Sequence, residues 1–414
     1  MRKPRTGERR FVGADDVAPL AREVFGPSRT PVTVQRLRGG TSKGVYRLSA
    51  GDGRSAILYV WSQDEDYWQA PTGQSVSGGE GGQGVSGPPD GQGGLGSQGG
   101  LGSQGGQGGT VGEPSGMELF EASRARFEGL GVRVPRLLLA SCAGEWLPSD
   151  AAVVEDLRGG TLEARLLEDP ERAAPMMDRL AESLRLMSTC RAPRPGRIAE
   201  IDHGRAEEGD GDAAIGRGDD VEGTYHGDGD GISDGGGVHN GGGGDSAGGG
   251  ASHGHEGSCP EVVLRWSLKD LREAAGRVGR IAAERDAFEA ALLDLHAAVR
   301  PRPGHGLIHG ELGPDHVLLD DRNEPVLIDI EGASYFDVEW EHVFLKIRFG
   351  DHYERLRLDG LDERRLRFYR LAHHLSLVAG PLRLLDGDFP DRDFMTEIAT
   401  SHTEEALTFL RTLQ

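Results

Sequence analysis

Four side chains between positions 309 and 329 have the types and spacing to do chemistry together: His309, Glu311, His316 and Asp329. Phosphoryl transfer needs a carboxylate near an acceptor hydroxyl and metal donors near the nucleotide phosphates. Glu311 suits the first task and Asp329 the second, with Glu331 two residues on able to assist. His316 is a second candidate metal donor. An imidazole is better matched to transition ions than to Mg²⁺, which prefers hard oxygen, so metal binding would fall chiefly to Asp329.

These residues need a hairpin to bring them together. Apolar runs at 317–319 and 326–328 flank the turn Asp320-Asp321-Arg322-Asn323-Glu324-Pro325, a strand–turn–strand pattern. It returns Asp329 to the loop that holds His309, Glu311 and His316. Further upstream, Val17, Leu20, Ala21 and Val24 keep helical spacing over 14–25. Three strands follow at 32–37, 45–48 and 56–61. The first two are separated by Gly39-Gly40-Thr41-Ser42-Lys43-Gly44. Glycine lets backbone N–H groups come close to phosphates, although an ordinary turn uses the same residues. Helices are expected over 117–128, 161–168 and 170–190, and one long helix over 260–299. More helices are expected in the last seventy-odd residues.

Two stretches resist any fold assignment. Residues 70–116 and 204–258 are Gly-rich and poor in apolar side chains, so they are expected to be disordered inserts. Twelve acids against two bases fall in the second, which accounts for nearly half of the net charge of −21. The acidity is thus concentrated in one insert, and no basic patch favours nucleic acid. Cys142, Cys190 and Cys259 have neither disulfide nor zinc-finger spacing, which fits a reducing cytoplasm. No run of about 18 apolar residues suggests a membrane span, and the charged N-terminus does not read as a secretory signal.

The pattern His309-Gly310-Glu311-Leu312-Gly313-Pro314-Asp315-His316, then Asp329, resembles the catalytic segment of the aminoglycoside phosphotransferase family, which is kinase-like. Asp337-Val338-Glu339-Trp340-Glu341 is similar to that family's following acidic motif. Glu311 replaces an Asp of the pattern, and His316 replaces an Asn. The resemblance implies an α+β, two-lobed fold: a small β-rich lobe over 1–155 and a larger helical lobe over 156–414, with the inserts as additions. It implies ATP and Mg²⁺ as cofactors and transfer of the γ-phosphoryl group to a hydroxyl of a small molecule. On this reading Glu311 is the catalytic carboxylate, and His309 orients its loop through backbone hydrogen bonds. Asp329 and His316 occupy the metal positions. Gly39, Gly40, Lys43 and Gly44 cover the phosphates, and Asp156–Arg158 form the hinge beside adenine. The third strand lacks the lysine that kinase-like enzymes place there, so Lys43, one of only four lysines, is its expected substitute. Glu121 takes the position of the acid that pairs with that lysine, with Glu118 one turn earlier as its rival. Acids at Asp337, Glu339 and Asp351 would suit a cationic acceptor. A non-catalytic nucleotide-binding protein and a nucleotidyl transferase are the alternatives.

Overall fold

The computed structural model describes residues 9–27, 32–37, 40–69, 114–207 and 257–413, with the side chains of 203–207 excepted. Gly39 and most of the two Gly-rich stretches lie outside the described residues. Helix α1 spans Ala14–Phe25, followed by strands β1 (Thr33–Arg36), β2 (Gly44–Ser49) and β3 (Ser55–Trp61). Helix α2 (Gly116–Gly129) precedes β4 (Leu137–Ser141) and β5 (Asp150–Glu155). The five strands form one antiparallel sheet in the order β1-β2-β3-β5-β4. Side chains alternate across a pleated strand, so β3 serves two cores. Ala56, Leu58 and Val60 pack with Val17, Leu20 and Phe25 of α1. Ile57 and Tyr59 point the other way, toward Phe120 and Phe127 of α2.

Helices α3 (Leu162–Glu168) and α4 (Pro170–Thr189) begin a larger helical part. It continues with β6 (Arg191–Ala192), β7 (Gly196–Arg197), α5 (Ile198–Glu207), α6 (Cys259–Arg277), α7 (Gly279–Ala283) and α8 (Arg285–Ala297). Then come β8 (His305–Ile308), the hairpin β9 (Val317–Leu319) and β10 (Pro325–Leu327), and β11 (Ser334–Phe336). Helices α9 (Val338–Phe349), α10 (Glu363–Asp386) and α11 (Arg392–Arg411) close the chain around Trp340, Phe368, Tyr369 and Leu375. The architecture is α+β, a small sheet lobe against a larger helical one. Among the described residues no helix is long and apolar enough to cross a membrane.

One expectation needs correcting, and one feature goes unread in the sequence. The single helix expected over 260–299 is three, because Val278 leaves helical geometry (φ −117°, ψ 105°) and Glu284 breaks the run again. A β-branched residue between Gly276 and Gly279 is a weak place for a helix. The unread feature is a four-stranded sheet, β6-β8-β11-β7, that sequence periodicity does not reveal. Its strands are two to four residues long, too short to show alternation. This sheet matters because β8 leads into His309 and β11 follows Glu331.

Candidate active site

The loop after β8 is fixed by backbone bonds to two buried side chains. His309 is fully buried. Its Nδ1 accepts from the Glu311 N–H at 3.4 Å, so Nε2 carries the proton and donates to the Ile328 carbonyl at 2.9 Å. The ring therefore ties the loop after β8 to the segment leaving β10. Burial, together with nearby His316, lowers its pKa to about 4, which keeps it neutral. Glu341 on α9 accepts from the Gly310 N–H at 2.7 Å and the Leu312 N–H at 3.2 Å. Burial raises its carboxyl to about 7. Gly310 has φ 99°, a conformation open to glycine.

Lys43 reaches the hairpin from the turn before β2. Its Nζ lies 2.6 Å from Asp329 Oδ1 and 2.6 Å from Glu331 Oε1, and 4.9 Å above the Tyr59 ring of β3. The ammonium thus sits beside the third strand, although its backbone belongs to the preceding turn. Burial alone would lower the Lys43 pKa, but the two carboxylates more than reverse that and raise it. Burial also pushes both acids up. Beside Lys43 and His316, Asp329 nevertheless ends below the usual carboxylate range, while Glu331 stays raised. Asp329 has φ 61°, an uncommon conformation for a non-glycine residue and one associated with functional sites.

His316 is tied by Nδ1 to the Glu311 carbonyl at 2.8 Å. Its Nε2 faces Asp315 at 3.6 Å and Asp329 at 3.8 Å. Burial disfavours the charged ring, yet Asp315 and Asp329 leave its pKa raised. Glu311 itself lines two clefts. One, of about 320 Å³, holds Ser42, Trp68, Asp329 and Glu331. The other, of about 140 Å³, is walled by Phe344, Arg348, Leu377, Ile398 and His402 from the C-terminal helices.

The glycines of the turn have a packing role of their own. A Cβ on Gly40 would collide with the Lys43 carbonyl, and one on Gly44 with the Glu65 carboxyl. Glu65 is fully buried and binds Arg36 at 2.7 Å and the Tyr46 hydroxyl. Glu121 is half-buried on α2, and among the described residues no ion pair joins it to Lys43. The acids that Lys43 meets come from the hairpin instead, because its side chain approaches from the turn and not from β3. Asp156 is buried between Arg47 at 3.0 Å and Arg158 at 3.1 Å. With Leu157 it borders a separate cleft of about 620 Å³ that Arg133 and Asp320 also line. Asp337 and Glu339 are unavailable to a cationic acceptor, contrary to expectation. Both are fully buried, Asp337 bonded to Arg365 at 2.8 Å and Glu339 to Arg302 at 2.8 Å.

The model of the phosphotransferase enzyme family (APH) matches residues 33–377. The chain belongs to this family. No curated protein matches it. Among solved structures it is similar to a thermostable mutant of aminoglycoside phosphotransferase APH(4)-Ia in ternary complex with AMP-PNP and hygromycin B. The identity is 14%, over 94% of this chain and 98% of that one, with a TM-score of 0.48. It is also similar to choline kinase LicA from Streptococcus pneumoniae, at 10% identity over 92% and 94% of the two chains, with a TM-score of 0.47. Ethanolamine kinase from Plasmodium vivax is a third, at 9% identity over 90% and 81%, with a TM-score of 0.45.

In this phosphotransferase-family chain, sequence reasoning missed the segment after β3. Ser62, Gln63, Asp66, Trp68 and Gln69 wall the larger Glu311 cleft. Trp68 donates to the Thr41 hydroxyl at 3.1 Å, and Arg9 pins the segment through the Gln63, Asp64 and Asp66 carbonyls. The available signal was the cluster Asp64-Glu65-Asp66-Tyr67-Trp68, an aromatic and acidic run directly after a core strand.

Proposed function

We propose that the protein transfers the γ-phosphoryl group of ATP to a hydroxyl of a small molecule. The observation that carries this reading is the placement of Glu311, which faces both the cleft with the hairpin carboxylates and the cleft among the C-terminal helices. A general base must stand between donor and acceptor.

The donor set fits Mg²⁺. Asp329 and Glu331 present hard carboxylate oxygens to a single point, now held by the Lys43 ammonium. Bound there, Mg²⁺-ATP would supply the phosphoryl group and neutralise its charge. Lys43 would bind phosphate oxygens, taking over from the missing third-strand lysine. Glu311 would take the proton of the acceptor hydroxyl. His316 would act as a positioning residue: its Nδ1 donates to the Glu311 carbonyl and its Nε2 faces Asp329. His309 and Glu341 would keep the loop rigid. The hinge Asp156–Arg158 would meet adenine through backbone groups, since the Asp156 carboxylate is already held by two arginines.

The acceptor cleft is small, partly apolar and bordered by Arg348 and His402, with Glu311 as an acid on its wall. The test is a panel of hydroxylated small molecules incubated with Mg²⁺-ATP and analysed by mass. A phosphorylated acceptor formed by the parent and lost in Glu311→Gln supports the proposal. Nucleotide bound without any product, or a product carrying a nucleotidyl group, overturns it.

A further inference from the structure

A second constellation lies away from the Glu311 clefts. Cys259 opens α6, His305 opens β8, and Asp337 caps α9; all three are buried. Cys259 Sγ lies 3.2 Å from His305 Nδ1, and Asp337 Oδ1 lies 3.4 Å from the same nitrogen. The three donor atoms all lie within 4.8 Å of one another. We propose that Cys259, His305 and Asp337 form a buried site for a thiophilic divalent cation, zinc above all.

The distances are those of a coordination shell. Zinc binds imidazole nitrogen and carboxylate oxygen at about 2.0–2.1 Å and thiolate at about 2.3 Å. At tetrahedral angles this puts nitrogen about 3.6 Å from sulfur and about 3.3 Å from oxygen. The observed 3.4 Å to oxygen matches, and the 3.2 Å to sulfur is about 0.4 Å short of the metal-bound value, a shift that a small ring movement supplies.

The second observation is the state of Asp337. Its Oδ2 accepts from Arg365 Nε at 2.8 Å and from the Tyr369 hydroxyl at 2.6 Å. Its Oδ1 is fully buried with no well-formed hydrogen bond; its nearest polar neighbours are His305 Nδ1 at 3.4 Å and Arg302 Nε at 3.9 Å. A buried carboxylate oxygen normally has a partner. Splitting the carboxylate between a cation on one oxygen and hydrogen bonds on the other is how ligating carboxylates are usually oriented. Thiolate and carboxylate together would neutralise a divalent ion, so Arg365 keeps its own balance with Glu339 and Asp362 nearby. Three protein donors leave the fourth position to water.

Although the open fourth position is the pattern of catalytic zinc, burial outside the Glu311 clefts gives this metal a structural role. The metal would tie the first turn of α6, which resumes after the acidic stretch, to the strand that enters His309 and to the start of the helix that carries Glu341. It would support the catalytic loop without touching the reacting atoms.

The test uses the full chain with His226, His239, His253 and His255 replaced by Gln, so that histidines in the acidic stretch do not contribute. The protein is purified from zinc-supplemented cells and its metal content is measured. It is then reconstituted with Co²⁺ alone. The expected result is about one zinc per chain, with a cobalt spectrum showing a thiolate charge-transfer band and intense tetrahedral visible bands. The band should vanish in Cys259→Ser and persist in Cys142→Ser and Cys190→Ser. His305→Gln is the second variant should Cys259→Ser fail to fold. A chelator should lower the Tm of the parent and not that of a folded site variant. A parent that holds no zinc and gives only a weak octahedral cobalt spectrum overturns the proposal, as does a thiolate band that survives Cys259→Ser.

Discussion

Replacing Lys43 by Met keeps the aliphatic stem over Tyr59 and removes the ammonium that bridges Asp329 and Glu331. Both acids sit 2.6 Å from the same nitrogen, with side chains 20% and 16% exposed. Without the ammonium, two carboxylate oxygens at most about 5 Å apart repel by about 3 kcal/mol or more at an effective dielectric of about 20. The escape is for one to take a proton. For a Glu of ordinary pKa about 4.3, that costs about 3.7 kcal/mol at pH 7 and about 1 kcal/mol at pH 5. Lys43→Met should therefore lose about 3 kcal/mol at pH 7 and about 1 kcal/mol at pH 5, within the range for breaking a buried pair once partial exposure is allowed for. The sign follows from linkage. In the variant the carboxyl pKa is raised, so its stabilising protonation is complete at low pH and is lost as pH rises through the raised value. In the parent Asp329 is depressed, so its contribution is present above the ordinary Asp pKa and disappears only in strong acid. Urea unfolding of parent and variant at the two pH values measures both. Mg²⁺ should also raise the Tm of the variant more than that of the parent, since it can replace the lost cation. A deficit that stays constant between pH 7 and pH 5, or no deficit, refutes the reasoning.

Glu311→Gln should keep the fold and nucleotide affinity while turnover falls by about 10²–10⁴-fold, the usual range for a lost general base; steady-state kinetics beside nucleotide titration checks this. His309 is held at about 4, below its ordinary 6.5. Its contribution is complete above pH 6.5 and drains away as pH falls through 4, so His309→Asn should flatten part of the acid limb in a Tm–pH series. Glu341→Gln should also destabilise, though less than Glu341→Ala, because its one amide oxygen can accept from only one of the Gly310 and Leu312 N–H groups while its NH2 faces the other. Glu341→Ala should cost about 1–3 kcal/mol for each orphaned N–H, read by denaturant unfolding. Gly44→Ala should destabilise the small sheet and lower the Tm, because the added Cβ meets Glu65.

The elements with strong local patterns were legible. The boundaries of α1 and of the strands β2 and β3 fall within a residue or two of those read from periodicity, and the hairpin follows from its turn residues. Asp320 accepts from the Arg322 and Glu324 N–H groups there, and Asn323 adopts φ 59°. What was not legible depends on long-range packing. Strands β6, β7, β8 and β11 are too short to show a period. The break at Val278 carries only a weak local signal, a β-branched residue between Gly276 and Gly279, and the helices on either side of it share one core with Phe288 and Leu371. At the site, the residue types of Lys43, Asp329 and Glu331 were readable, and their convergence was not, because it joins positions nearly three hundred residues apart. The acids Asp337 and Glu339 read as free in sequence because nothing local announces Arg302 and Arg365 as their partners.

The central claim is that Glu311 stands between a nucleotide and an acceptor hydroxyl. Its most direct test is transfer from γ-labelled ATP, with Mg²⁺, to the acceptor that gives product in the small-molecule panel. The account predicts label on the acceptor with the parent, and label lost with Glu311→Gln while the variant still binds the nucleotide. Undiminished transfer by Glu311→Gln, or label that never leaves ATP across the whole panel although the parent binds it, would contradict the account.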